Sequence, residues 1–196
     1  MSGPCWRESL PRSVGCGNGC LSMSCDFELV QIVDTALAEA ARRSGSWLVC
    51  RPGCTQCCFG PFEITQLDAQ RLREGLAELE RHDPRRARAV RDRARQAAHA
   101  TNVSDDDPCP ALDPETGTCD LYAARPITCR CFGPPVRCDS GEVGICELCF
   151  DGASDEEIGT CIVDFDPSGL ESILIDAVQQ ATGLSGMTTV ALSLAS

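Results

Sequence analysis

The chain has 196 residues, 43% of them hydrophobic, and its 29 acidic side chains outnumber 17 basic ones for a net charge of −12. That length suits a single domain burying its own core, and the apolar runs are too short for a membrane-spanning helix. Every basic residue is Arg, which excludes a Walker-type lysine loop, a Schiff-base lysine and a lysine general base.

The charge is uneven. Residues 1–103 carry 14 Arg and 12 acids, whereas residues 104–196 carry 3 Arg and 17 acids, a net of −14. So acidic a half repels nucleic acid and anionic membrane, and neither is expected as a partner. The outlier is Cys, with 16 residues beside only two His. Residues 1–25 lack a charged region followed by an apolar one, which predicts a cytoplasmic chain. There thiols stay reduced, and dense Cys serves metal or redox chemistry rather than a disulfide scaffold.

In chain order, residues 1–25 are rich in Gly, Ser and Pro and read as a flexible arm bearing Cys5, Cys16, Cys20 and Cys25. A helix is predicted from Asp26 to Gly45, with Phe27, Val30, Val33, Leu37 and Ala41 on one face. The segment Cys50-Arg-Pro-Gly-Cys54-Thr-Gln-Cys57-Cys58 follows, turned by Pro52 and Gly53. Thr65-Gln-Leu-Asp68 opens a second helix with Leu72, Leu76 and Leu79 on one side. Asp83 and Pro84 start a third, near 84–100, whose small face is Ala87, Val90, Ala94 and Ala97. Residues 104–165 read as loops with short strands, one of them around Gly159–Phe165. A last helix runs from Asp166-Pro167 through Ile173, Leu174 and Val178 to Gly183, and the tail 184–196 has no assigned place. The expectation is a mainly α, metal-nucleated single domain over 26–183, with irregular Cys-rich loops and short strands.

Two Cys groups flank the paired helices: Cys50, Cys54, Cys57 and Cys58 before them, and Cys109, Cys119, Cys129, Cys131, Cys138, Cys146, Cys149 and Cys161 after. A Cys-x-x-Cys step across a turn directs both sulfurs at one ion, as Cys54 and Cys57 could. Antiparallel helices return the chain to its start and bring the groups together. His82 and His99 read as ordinary helical histidines, so a site would be nearly all sulfur, which suits Zn²⁺ or an iron–sulfur cluster. The Cys50, Cys54, Cys57 spacing matches that of radical S-adenosylmethionine enzymes, but no βα barrel accompanies it. Arg125 and Arg130 either neutralise clustered thiolates or pair with Asp120 or Glu115, and Tyr122 reads as a core aromatic. The Arg81–Arg95 stripe, with seven Arg and two Asp, reads as a solvated or ion-paired face.

Taken together, Cys50-x-x-x-Cys54-x-x-Cys57-Cys58, Cys109-Pro110-x-Leu112, and Gly117-x-Cys119-x-x-Tyr122-x-x-Arg125-Pro126-x-x-Cys129-Arg130-x-Phe132 resemble the YkgJ-type cysteine-cluster family of zinc- or iron-chelating domains, over roughly residues 48–133. The resemblance implies that Cys50, Cys54, Cys57, Cys58, Cys109, Cys119 and Cys129 are metal ligands. It implies a later eighth, for which Cys138, Cys146 and Cys149 are candidates and Cys146 is the expected one. Flagellin lysine N-methylase carries a similar cluster, so the alternatives to a metal-binding, electron-handling protein are a related metalloenzyme or a thiol-redox or metal-trafficking protein. An iron–sulfur cluster is preferred to Zn²⁺: Cys57 and Cys58, if extended, point to opposite sides, while Cys50, Cys54 and Cys57 could hold three corners of a cubane. The partner, protein or small substrate, is not specified by these residues.

Overall fold

The computed structural model describes residues 23–51, 53–102, 104–137 and 141–195. The flexible-arm expectation for residues 1–22 lies outside them. Among the described residues the protein is mainly α, with short strands paired in three two-stranded antiparallel sheets.

Helix α1 spans Met23–Ser44. Its buried face is Cys25, Leu29, Val33, Leu37 and Ala40, close to a strict four-residue step, and Ser44 donates its hydroxyl to the Ala40 carbonyl at 2.7 Å. Phe27 is 60% exposed, so the apolar face is rotated from the predicted one. Cys25 belongs to this helix rather than to an arm, because the step from Cys25 to Leu29 already lies in register with the core.

The paired helices follow the sequence closely. Helix α2 is Gln66–His82, capped by Thr65, whose hydroxyl accepts the Asp68 N–H at 3.1 Å. Helix α3 is Pro84–Ala98, capped by Asp83, whose carboxylate accepts the Arg86 N–H at 3.0 Å. Leu72 and Leu76 pack against Ala87, Val90 and Ala94. The small residues of α3 let the helices approach closely, and their long polar neighbours stay outside.

The unplaced C-terminal segment completes this core. Strand β6 (Thr188–Thr189) pairs with β1 (Glu63–Ile64), with Ile64 opposite Thr188. Helix α7 (Val190–Ala195) then packs on α2 and α3, burying Val190 and Leu194. A second core joins α1, the start of α2, α4 (Ile127–Arg130) and α6 (Leu170–Thr182) through Leu29, Val33, Leu67, Ile127 and Leu174. Asp166 opens α6 by accepting the Leu170 and Glu171 N–H groups at 2.9 and 2.8 Å, and Gly183 closes it at φ +72°. Leu174 is buried on α6, whereas Ile173 is 58% exposed.

Residues 159–165 do not form the expected strand. Helix α5 occupies Asp155–Cys161, fixed by a reciprocal capping box between Ser154 and Glu157. The extended chain resumes only at Val163, which bridges Val136. Ser154 and Glu157 accept each other's backbone N–H at the helix start, and that local gain outweighs the β preference of the Ile-Val pair that follows.

Gly75 in α2 faces Ala124. A Cβ there would overlap the Ala124 Cβ, which cannot rotate away. Replacing an exposed helical Gly by Ala gains about 1 kcal/mol. Here overpacking costs about 1–3 kcal/mol, so Gly75→Ala should lower the melting temperature. Adding Ala124→Gly should restore it, and a single variant more stable than the parent would contradict this packing.

Candidate metal centre

The turn between α1 and α2 supplies four sulfurs in nine residues. Cys54 N–H donates to the Arg51 carbonyl at 2.9 Å, and Cys58 N–H to Thr55 at 2.8 Å, so the segment winds as consecutive tight turns. Gln56–Cys58 is a 3-10 turn. Successive side chains there are separated by roughly a third of a turn, rather than by the half-turn of a strand. Cys57 and Cys58 therefore reach the same surroundings, contrary to the extended expectation.

Their partners come from beyond α3. Cys109 N–H donates to the Cys58 carbonyl at 2.7 Å, and Phe59 bridges Pro108. Strands β2 (Leu112–Asp113) and β3 (Thr118–Cys119) pair Leu112 with Cys119, which sets Cys119 beside Cys109. Cys129 arrives on α4. The electrostatic neighbours of these thiols are one another: Cys58 with Cys57, Cys109 and Cys119, and Cys129 with Cys109, Cys57 and Cys119.

Cys50 and Cys54 belong to a different group. Phe150 N–H donates to the Trp47 carbonyl at 3.0 Å, which lays the Cys146-Glu-Leu-Cys149 turn against Cys50. Cys149, Cys146 and Cys54 are the electrostatic neighbours of the Cys50 thiol. Gln56 reaches Glu147 across the same junction. The leading electrostatic neighbours of Cys50 are thus other sulfurs than those of Cys58.

Of the eight sulfurs expected as ligands, five lie in one group (Cys57, Cys58, Cys109, Cys119, Cys129) and three in the other (Cys50, Cys54, Cys146). Cys149 adds a fourth to the latter, so two of the three candidates for the last position are together. Cys138 lies outside the described residues. Cys161 is buried in the same apolar cluster as Cys146 and Cys149, but its sulfur faces the Thr160 hydroxyl at 3.7 Å. Cys131 packs against the α1–α6 core. No disulfide joins the described cysteines.

The thiols are grouped without being closed. Among the described residues no three His, Cys, Asp or Glu side chains already form a set able to hold a metal ion. Burial first, and then Cys149, Cys146 and Cys54, push the Cys50 thiol up to about 12. Burial likewise raises Cys109 to about 11 and raises Cys119, Cys129 and Cys146. Cys57 is the exception, drawn down to about 6 chiefly by the hydrogen bond from Cys58, with Arg125 adding its charge. A metal ion binds the thiolate form, so its binding at such thiols releases protons. The residues fit such a group: the donor sets are all sulfur, and Gly133 leaves room where a Cβ would stand 3.3 Å from Cys50 Sγ.

Ion pairs frame the five-sulfur group. Arg130 is buried, donating to Asp34 at 2.7 Å and to the Ala123 and Arg125 carbonyls at 2.6 and 3.1 Å. Arg125 lies 3.8 Å from Asp34 and stacks 3.9 Å from the centre of the Tyr122 ring. Neither Arg pairs with Asp120 or Glu115 as one reading expected. Asp120 is taken by Arg86 and Arg93, both at 2.6 Å, so part of the Arg stripe is paired internally. Tyr122 is 64% exposed and not a core aromatic, because its ring covers Arg125 rather than filling a cavity. His82 is exposed and bound to Glu78, and His99 caps α3.

A small helical protein with grouped thiols on long loops is the class these features define. The chain belongs to the family described as "CxxCxxCC: Putative zinc- or iron-chelating domain", which matches residues 49–147. Metal chelation through clustered cysteines is therefore its function class. Comparison with curated proteins and with solved structures gives no match. No helix among the described residues is long and apolar enough to cross a membrane.

Asp68 ties α2 to the Cys129 turn. It is buried, its Oδ1 accepts the Ile127 N–H at 3.0 Å and a bond from Arg71, and its Oδ2 has no partner. Burial raises its carboxyl above the ordinary value of 3.8, against the pull of Arg71 and the Ile127 N–H. The folded chain thus keeps a proton that the unfolded chain has released, and stability contributed at low pH is lost as pH rises above about 4. Asp68→Asn keeps the acceptor and removes the titration. Urea midpoints from pH 4 to 7 should show the parent losing ground to the variant as pH rises; parallel profiles would count against this assignment.

Proposed function

We propose that the chain is an electron-handling protein of the cytoplasm that carries an iron–sulfur cluster at Cys57, Cys58, Cys109, Cys119 and Cys129. The observation that carries the reading is that the sulfurs of that group arrive from three separate stretches of chain, the Cys57–Cys58 turn, the Cys109–Cys119 loop and the Cys129 turn. A cluster takes four thiolates at separate irons, a wider span than the single ion of a zinc tetrahedron, and the fifth thiol is then a neighbour rather than a ligand. When bound, the cluster supplies reversible electron transfer.

The remaining chemistry falls to this chain's own residues. The Cys58–Cys109 backbone bond fixes the spacing of the two turns, and the β2–β3 pair orients Cys119. Arg125 offsets negative charge near Cys57, while Arg130 pins the turn before Cys129 to α1 through Asp34. Apolar packing from Phe62, Leu121 and the α2–α3 core excludes water from one side.

A related methylase-like enzyme would need a substrate pocket beside the sulfurs. A cavity of about 220 Å³ lies between α1, α2 and α6, lined by Asp26, Arg71, Glu74 and Leu174. The acidic half favours protein or small-molecule partners over nucleic acid.

Anaerobic purification after expression with ample iron tests the proposal. The expected product is brown, contains iron and acid-labile sulfide, and bleaches with dithionite. A colourless, folded protein with stoichiometric zinc and no sulfide would overturn it.

A further inference from the structure

We infer that the groove between α2 and α6 binds a small amphipathic amine, a protonated ammonium carried on a short hydrocarbon chain. The inference goes beyond metal binding and holds whatever the cysteines carry.

Two helix faces make the groove. On α2 the wall is Leu67, Gln70, Arg71 and Glu74, and on α6 it is Leu174, Ala177, Val178 and Ala181. Both sets step by three, one and three residues, which keeps each on a single side of its helix. Seven such steps span roughly 10 Å, so the groove is elongated. Leu67 and Leu174 are buried in the second core, which closes the groove on that side. Ala177 and Ala181 present only methyl groups where longer side chains would fill the space.

The volume of about 220 Å³ sets the size of the occupant. An apolar cavity of roughly 150 Å³ takes benzene, whereas drug-sized ligands occupy about 300 Å³ or more. A chain of about seven to ten non-hydrogen atoms falls between these limits, and a nucleotide is too large.

Charge decides which chain. The cation of these walls is Arg71, and its charge is already met. Its Nε donates to Asp26 Oδ2 at 3.0 Å, its Nη2 to Asp26 Oδ1 and its Nη1 to Asp68. Arg71 and Asp68 are both buried, so this network is part of the fold, and an entering anion would have to displace a carboxylate from it. Glu74 is exposed; its Oε1 accepts from Gln70 at 2.9 Å, and it forms no ion pair among the described residues. Helix α6 cannot supply a cation, because residues 138–196 contain no Arg, Lys or His. The groove is therefore net negative on the α2 side and apolar on the α6 side. An ammonium group can meet Glu74 while its hydrocarbon lies along Leu174 and Val178, the pairing of one polar anchor with an apolar wall that fixes a ligand's orientation.

Ligand-observed NMR on the full chain tests the inference with hexylammonium, hexanol and hexanoate, three probes of one length. Hexylammonium should bind about fivefold more tightly than hexanol, as one exposed ion pair allows, and hexanoate should bind most weakly. Glu74→Gln should bring hexylammonium down to the affinity of hexanol. Ala181→Leu, at an exposed position of α6, should fill the groove and abolish binding of all three. Glu80→Gln, whose parent side chain faces Arg91 of α3 instead, should change nothing. Circular dichroism checks that each variant keeps the parent's helical content, and should Ala181→Leu fail to fold, Glu74→Gln decides. A parent that binds none of the probes or prefers hexanoate would overturn the inference. So would a hexylammonium affinity left unchanged by folded Glu74→Gln or Ala181→Leu.

Discussion

The constraint on which the rest depends is that one nine-residue turn, Cys50–Cys58, must meet sulfurs from two distant stretches of chain. The Cys58 carbonyl accepts the Cys109 N–H, and the Trp47 carbonyl just before the turn accepts the Phe150 N–H just after Cys149. The intervening α2–α3 hairpin returns the chain to its origin, and the short β2–β3 and β4–β5 pairs, the latter joining Val136–Arg137 to Val143–Gly144, fold the loops back again. The helices thus serve as spacers whose lengths decide which sulfurs can meet.

Packing alone holds much of this frame. Two apolar cores form around α2–α3–α7 and α1–α4–α6, and ion pairs fasten the loops to them: Arg130 with Asp34, Arg71 with Asp26 and Asp68, and Arg86 and Arg93 with Asp120. In each pair at least one side chain is buried, and losing its partner would strand that charge, so the pairs fix loop position more than they add stability. Metal binding to four thiolates contributes about 10–16 kcal/mol, as large as the net stability of an ordinary domain. Such a term governs the loops, where apolar contacts are fewest.

The sequence made the α2–α3 hairpin legible because Thr65, Asp83 and Pro84 satisfy helix ends through local chemistry that any fold would use. It also made the family legible, since the spacing of cysteines survives whatever the loops do. The strand expected at 159–165 failed although Ser154 and Glu157 already carried a capping signal. The C-terminal helix was hidden for another reason: a six-residue apolar segment has no period to detect, and its place is set by α2, α3 and β1. The least legible features were the 3-10 turn at Gln56–Cys58 and the backbone bond between Phe150 and Trp47, neither of which has a signature in spacing.

Native mass spectrometry of the anaerobically purified full chain tests the central claim most directly, because it weighs each bound group on the folded molecule. The account predicts an adduct that carries iron together with sulfide and so outweighs any single metal ion. A folded chain at its bare mass, or one that carries only single ions without sulfide, would contradict it.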